Sequence, residues 1–259
     1  MTTITFRGTG DSQGVPRVYC DCMVCADARE AGSLNRRYRC ALQIEDPLAG
    51  SLWIDCGPDW GKQMEAADLR TIQKMLITHA HYDHIGGLPE WYDTCRWTGS
   101  VGEAYAPSVV IAEISSRFPW LSGRINFHCF DDPIDWGRWR VMSWRVNHGK
   151  NGYAYAFRFD DRESGRAWAY CSDSIGLTEE QQQPLFGLDL LIMGTSFYNE
   201  PYPYESRSVY DITEVIDLAE RWAPSRTILT HMSHDIDLRR DYGLPAGMEL
   251  AKPGMAFKL

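Results

Sequence analysis

Thr78-His79-Ala80-His81-Tyr82-Asp83-His84-Ile85-Gly86-Gly87-Leu88 is the stretch on which the reading of this chain turns. Four metal-ligand side chains fall within it, directly after Lys74-Met75-Leu76-Ile77-Thr78, an apolar run that reads as a short strand. Residues two apart in extended backbone point the same way, so His79 and His81 can grip one ion. Asp83 and His84 come after the chain has begun to turn and can face a second ion nearby. Imidazole nitrogen and carboxylate oxygen suit zinc, and also manganese or iron. The chain has only 7 histidines, and three of them crowd into this loop.

Two ions need more ligands than one loop supplies, and later strand ends offer them. His148 follows the predicted strand 139–147, Asp173 follows 166–172, and His231 follows 226–230. Open α/β sheets place their sites just past such strand ends. Together they complete a set, with His79, His81 and His148 on one ion and Asp83, His84 and His231 on the other. Asp173, with two carboxylate oxygens, bridges them.

Further out, residues 3–7 alternate like a strand and end in the glycine-rich turn Gly8-Thr9-Gly10-Asp11-Ser12-Gln13-Gly14-Val15-Pro16. Residues 40–46 and 51–55 read as a hairpin, and Asp59 is placed to cap a helix over residues 60–70. Residues 91–106, rich in Trp, Tyr and Gly, read as a lid or insertion. Residues 107–112 and 125–130 read as strands, 153–159 with 166–172 as a hairpin, and 188–193 as a buried strand. Asp211 to Trp222 is the clearest helix, with Ile212, Val215, Ile216 and Ala219 on one face and Glu214 three residues after Asp211 as in a capping box. Strands dominate the first two thirds and alternate with helices near the end, which predicts an α+β fold or a sandwich with flanking helices over residues 1–259 as one domain.

The chain has 259 residues, 44% hydrophobic and 24% charged, which excludes a disordered, collagenous or coiled-coil protein. No apolar run is long enough to span a membrane, and the N-terminus lacks the regions of a signal peptide, so a cytoplasmic location is expected. A net charge of −9 argues against a duplex-binding face. Of 8 cysteines, Cys20, Cys22 and Cys25 sit close together. Three thiolates in this spacing can fill three corners of a tetrahedral zinc site that has a structural role. Arg36 and Arg37 are candidates to contact a phosphate, and Thr195-Ser196-Phe197 is a candidate pocket lining.

The histidine loop with Gly86-Gly87, followed in order by His148, Asp173 and His231, resembles the metal motif of the metallo-β-lactamase superfamily. The resemblance implies an αββα sandwich, two packed mixed β-sheets flanked by helices, with a dinuclear site along one edge. The opening Gly8–Pro16 turn and Leu52-Trp53-Ile54-Asp55-Cys56-Gly57 are similar to the phosphodiesterase branch that includes ribonuclease Z. In that branch Asp55 would orient a metal-bound histidine from behind. Cys20-Asp21-Cys22-Met23-Val24-Cys25 with Thr230-His231-Met232-Ser233-His234 resembles the PhnP type of cyclic phosphodiesterase, which nominates His234 as the fourth ligand of the structural zinc. The implied cofactors are two catalytic divalent metals, Zn or Mn, and one structural Zn. The implied reaction is attack of a metal-bridging hydroxide on a small cyclic or nucleotide-like phosphodiester, with Asp83 and Asp173 as catalytic carboxylates. A ribonuclease Z-like endonuclease and a glyoxalase II-like thioester hydrolase are the alternatives. A small phosphodiester is the expected partner, with no membrane and no nucleic acid, and a homodimer rests on the resemblance alone. This chain departs from the PhnP type where a histidine general acid is expected, since Val209-Tyr210 stands there. Tyr210, Tyr198 and Glu200 are the substitutes in view, and His128 is the one histidine without a role.

Overall fold

The computed structural model describes residues 1–259. In chain order the elements are β1 (Thr3–Gly8), α1 (Met23–Arg29), β2 (Ala41–Asp46), β3 (Gly50–Ile54), α2 (Trp60–Ala66), β4 (Lys74–Leu76) and α3 (Tyr82–Ile85). Then come α4 (Leu88–Thr98), β5 (Gly102–Ala106), α5 (Ser108–Arg117), β6 (Ile125–Cys129), β7 (Ile134–Trp136), β8 (Trp139–Asn147), β9 (Tyr153–Asp161) and β10 (Ala167–Cys171). The chain closes with α6 (Glu179–Gln182), β11 (Leu190–Gly194), α7 (Ile212–Trp222), β12 (Thr227–Thr230), β13 (Met248–Leu250) and β14 (Ala256–Lys258).

The strands form two mixed sheets of seven, ordered β14-β1-β2-β3-β4-β5-β6 and β13-β12-β11-β10-β9-β8-β7. Side chains alternate across each sheet, so one strand feeds two cores. Leu52 and Ile54 on β3 join the core between the sheets, where Trp139, Phe157, Phe159 and Trp168 also lie. Trp53 between them faces the other way, into a second core with Trp60, Leu88, Trp91, Val110 and Ile114 from α2, α4 and α5. On the second sheet α7 contributes Ile212, Val215 and Trp222. The architecture is two packed mixed β-sheets with flanking helices, the expected αββα sandwich. No helix is long and apolar enough to cross a membrane.

Three local expectations are corrected. Residues 107–112 are not a strand. Pro107 leads into α5, and Val110 and Ile114, four apart, bury one helical face. Residues 91–106 are not a lid, because Leu88, Trp91 and Cys95 anchor α4 in the second core and β5 pairs inside the first sheet. Asp59 precedes α2 but does not cap it with its side chain. Both its oxygens accept from Arg39, whose backbone N–H also donates to Oδ2 at 3.0 Å. Asp211 does form the capping box with Glu214, and a second box, Thr178 with Gln181, opens α6.

Candidate metal centre

The parallel strands β3, β4, β10, β11 and β12 end at one edge of the sandwich, and the polar residues after them meet there. Cys56 N–H donates to His84 O at 2.7 Å, and Gly87 N–H donates to Cys56 O at 2.7 Å, which ties the turn after β3 to the histidine loop. Gly57 is required at this crossing, since a Cβ there would lie 2.2 Å from Asp83 O. Asp55 and His231 both adopt left-handed backbone, with φ of 64° and 59°. Non-glycine residues in this region are uncommon and cluster at functional sites.

The expected residues converge in two groups. His79, His81 and His148 form one, and Asp83, His84, Asp173 and His231 form the other, with the ligand atoms of each within 4.8 Å of one another. Asp173 reaches both. Its Oδ2 lies 3.1 Å from His84 Nε2, 3.5 Å from His79 Nε2 and 3.6 Å from His148 Nε2, and its Oδ1 lies 3.2 Å from His231 Nε2. Asp83 Oδ2 is 3.1 Å from His84 Nε2 and 3.8 Å from His231 Nε2.

The rings are aimed from behind. Asp55, fully buried, lies 2.7 Å from His84 Nδ1, and its Oδ1 accepts from Thr78 N–H at 2.8 Å and from Thr78 Oγ1 at 2.9 Å. His148 Nδ1 donates to the Ser208 carbonyl at 2.7 Å. Each of these contacts occupies Nδ1 and leaves Nε2 facing the centre, the arrangement that fixes tautomer and orientation in metal sites.

The donor set fits divalent cations. His84 Nε2, His231 Nε2 and Asp173 Oδ1 are buried with no hydrogen-bond partner, a costly state unless an ion is bound. Burial opposes charge on Asp173, but His231 and His84 outweigh it and hold the carboxyl well below its ordinary range. Burial also opposes charge on His84, yet Asp83, Asp173 and Asp55 win and raise its pKa well above the ordinary imidazole value. His79, His81 and His148 are pushed the other way, chiefly by burial.

A second cluster lies nearby. His234 Nδ1 is 3.2 Å from Cys20 Sγ, 3.5 Å from Cys22 Sγ and 3.3 Å from Cys25 Sγ. Burial pushes the Cys25 thiol up to about 11, so a thiolate there calls for a cation. The cluster joins the loop before α1 and the first turn of α1 to the segment after β12, beside the contacts Asp11 N–H to Met232 O and Met232 N–H to Thr9 O.

The remaining nominations divide. Arg36 and Arg37 do not face the centre. Arg36 donates to the Ala28 and Arg29 carbonyls, and buried Arg37 donates to the Ser233 and Ile236 carbonyls. They tie loops together, a role that two adjacent arginines in sequence do not distinguish from anion binding. Tyr210 is buried, its oxygen accepts from Leu177 N–H, and its pKa rises to about 12, mainly by burial. Tyr198 stacks on Tyr242. Only Glu200 of the three lines the cleft over the metal centre, together with Ser196 and Phe197. His128 pairs with Glu103 on the first sheet, away from the cleft. Sequence reasoning missed Asn151 and Ser208, both cleft-lining. Asp11 and Ser12 also line it, and their glycine-rich turn was the available signal.

The chain belongs to the beta-lactamase superfamily, whose domain model matches residues 51–232. Within that family it is similar over its whole length to the crystal structure of a new diphosphatase from the PhnP family, at 26% identity, a TM-score of 0.85 and 98% coverage of that chain. Zn(2+)-bound PqqB from Methylobacterium extorquens shares the fold at 16% identity and a TM-score of 0.80, with 99% of this chain and 100% of that one covered. An octanoyltransferase from Porphyromonas gingivalis is 26% identical over 91% of this chain and 46% of its own length. A ribonuclease Z from Thermosynechococcus vestitus is 33% identical over 67% of this chain and 40% of its own. The chain thus spans less than half the length of these two relatives.

Proposed function

We propose that this chain, acting as one hydrolase domain over residues 1–259, is a dinuclear metal-dependent phosphodiesterase that cleaves a small cyclic or nucleotide-like phosphodiester in the cytoplasm. The observation that carries the reading is Asp173 standing between two imidazole groups at the floor of an open cleft. The likeness to a PhnP-family diphosphatase and to ribonuclease Z supports phosphoryl chemistry among the family's activities.

In this proposal His79, His81 and His148 hold one divalent ion, Zn or Mn. Asp83, His84 and His231 hold the other, Asp173 joins the two, and Cys20, Cys22, Cys25 and His234 hold a structural Zn. Divalent ions bound there supply charge against the phosphoryl oxygens and make water acidic enough to act near neutral pH. The protein's own part is positional. Asp55 and Thr78 hold His84, and the Ser208 carbonyl holds His148. A homodimer belongs to the proposal and is checked by light scattering.

The test is metal analysis of the purified protein together with hydrolysis of bis(p-nitrophenyl) phosphate, a cyclic nucleotide and a thioester. The proposal expects about three ions per chain, diester hydrolysis, and its loss in Asp173→Ala at saturating metal. Undiminished turnover in Asp173→Ala, or thioester cleavage alone, overturns it. A ribonuclease Z activity is separated by tRNA binding at low salt, where phosphate contacts are strongest.

A further inference from the structure

The cleft wall above the metal centre has a chemistry of its own. Apart from the candidate ligands it is lined by Ser12, Asn151, Ser196, Ser208, Phe197 and Val209 and by two carboxylates, Asp11 and Glu200. No lysine or arginine lines it. Two arginines behind it are already paired with carboxylates. Arg17 sits 2.6 Å from Asp11. Arg207 is buried and faces three carboxylates at once, Glu200 at 3.2 Å, Asp211 at 3.4 Å, and Glu214. Glu200 is itself held, with its side chain 10% exposed, Oε2 toward Arg207 and its backbone N–H on Asp211 Oδ2 at 3.0 Å. Arg207 thus lies nearest one oxygen of Glu200, on a residue that lines the cleft.

Phe197, on the same turn as Glu200, presents a ring to the cleft. Tyr202 meets it edge-on with ring centroids 6.0 Å apart and is 60% exposed. The cleft holds about 150 Å³, enough for one ring, since a cavity of roughly this size takes benzene.

From this we propose, resting on the phosphodiesterase reading, that the site selects a diester whose only negative charge is the reacting phosphate. The rest of its substrate is a neutral, hydroxyl-bearing ring system. Glu200 accepts a hydrogen bond from a sugar hydroxyl, the serines and Asn151 take the remaining polar edges, and Phe197 with Tyr202 supplies a face for an unsaturated ring. A second phosphate would meet Asp11 and Glu200 in a cleft lined by no lysine or arginine, a partly buried site where like charges repel strongly. Glu200 is a positioning and specificity residue here.

The experiment compares adenosine 2′,3′-cyclic phosphate with the same compound carrying a 5′-phosphate, on manganese-loaded protein, with bis(p-nitrophenyl) phosphate as the reference diester. The added phosphate is expected to lower kcat/KM at least about tenfold, ~1.4 kcal/mol, through KM. Calorimetry should show adenosine 3′-phosphate binding more tightly than adenosine 3′,5′-bisphosphate by a similar factor. In Glu200→Gln both ratios shrink to about threefold or less, ~0.7 kcal/mol, with metal content and melting temperature showing a folded, loaded protein. Equal or preferred use of the doubly phosphorylated compound, with the reference diester hydrolysed, overturns the inference and leaves the phosphodiesterase reading standing. An unchanged preference in Glu200→Gln removes Glu200 from the role. Failure to hydrolyse any diester, the reference included, overturns both.

Discussion

Replacing Asp55 by Asn tests how much of the metal centre is built from behind. Asp55 is fully buried, and its two oxygens serve three donors, His84 Nδ1–H, Thr78 N–H and Thr78 Oγ1–H. Asparagine keeps the shape and tolerates the left-handed backbone at φ 64°, so the change is electronic rather than steric. Its amide has one acceptor oxygen and one donor nitrogen. Whichever way it turns, an NH2 group faces either His84 Nδ1–H or Thr78 N–H. A buried donor left without an acceptor costs ~1–3 kcal/mol, which lowers the melting temperature of a chain this size by about 4–8 °C at 2 kcal/mol. The alternative relief moves the His84 proton to Nε2, which closes that nitrogen to a cation. Partners behind metal ligands are worth about 10–100-fold in affinity or activity. Metal retention measured against a competing chelator, with circular dichroism melting of the metal-free protein, reads both effects. Wild-type retention with an unchanged melting temperature would refute the account of Asp55.

Other outcomes follow from the same geometry. The two halves of the centre should differ in pH dependence. The carboxylates around His84 and His231 raise their pKa against the effect of burial, so in metal-free protein they hold protons near neutrality that a cation must displace. Affinity there weakens as pH falls, whereas His79, His81 and His148, lowered by burial, are already neutral at pH 7. Calorimetric Mn²⁺ titration in buffers of different ionisation enthalpy should show proton release on only one of two binding steps, and equal release on both would contradict this. The same raised groups stabilise the metal-free fold below the ordinary histidine pKa of ~6.5, and that contribution is lost as pH rises through their folded values. Cys25→Ser should remove one ion per chain and cost at least ~2 kcal/mol of stability, seen by elemental analysis and urea unfolding. An unchanged metal count would show that the cysteines hold no ion. Arg207→Met strands three carboxylates and should cost about 3 kcal/mol in urea unfolding, and a loss below ~1 kcal/mol would mean that the cluster is effectively solvated.

The centre was legible because its ligands sit at fixed offsets after apolar strands, and strand ends at one sheet edge converge by topology. The elements misread were those whose residues favour one state locally and another in context. Val109-Val110-Ile111 is β-branched and reads as a strand, but Pro107 and the burial of Val110 with Ile114 make it helical. The aromatic run after Trp91 reads as a lid because its tryptophan is counted before its spacing with Leu88 and Cys95. Strands β13 and β14 have three residues each, too short for a periodic signal. Contacts made by backbone, such as the Ser208 carbonyl on His148, leave no mark in residue type at all. Arg37 shows the converse, a charged residue whose partners are carbonyls nearly two hundred positions away.

The most direct test is an anomalous difference map from crystals grown with manganese and zinc. Two manganese peaks about 3.5–4 Å apart, one on each side of Asp173, and a zinc peak among Cys20, Cys22, Cys25 and His234 are the result predicted. A map with no peak beside Asp173, or with a single ion bound elsewhere in the cleft, would contradict the dinuclear centre on which the phosphodiesterase reading stands.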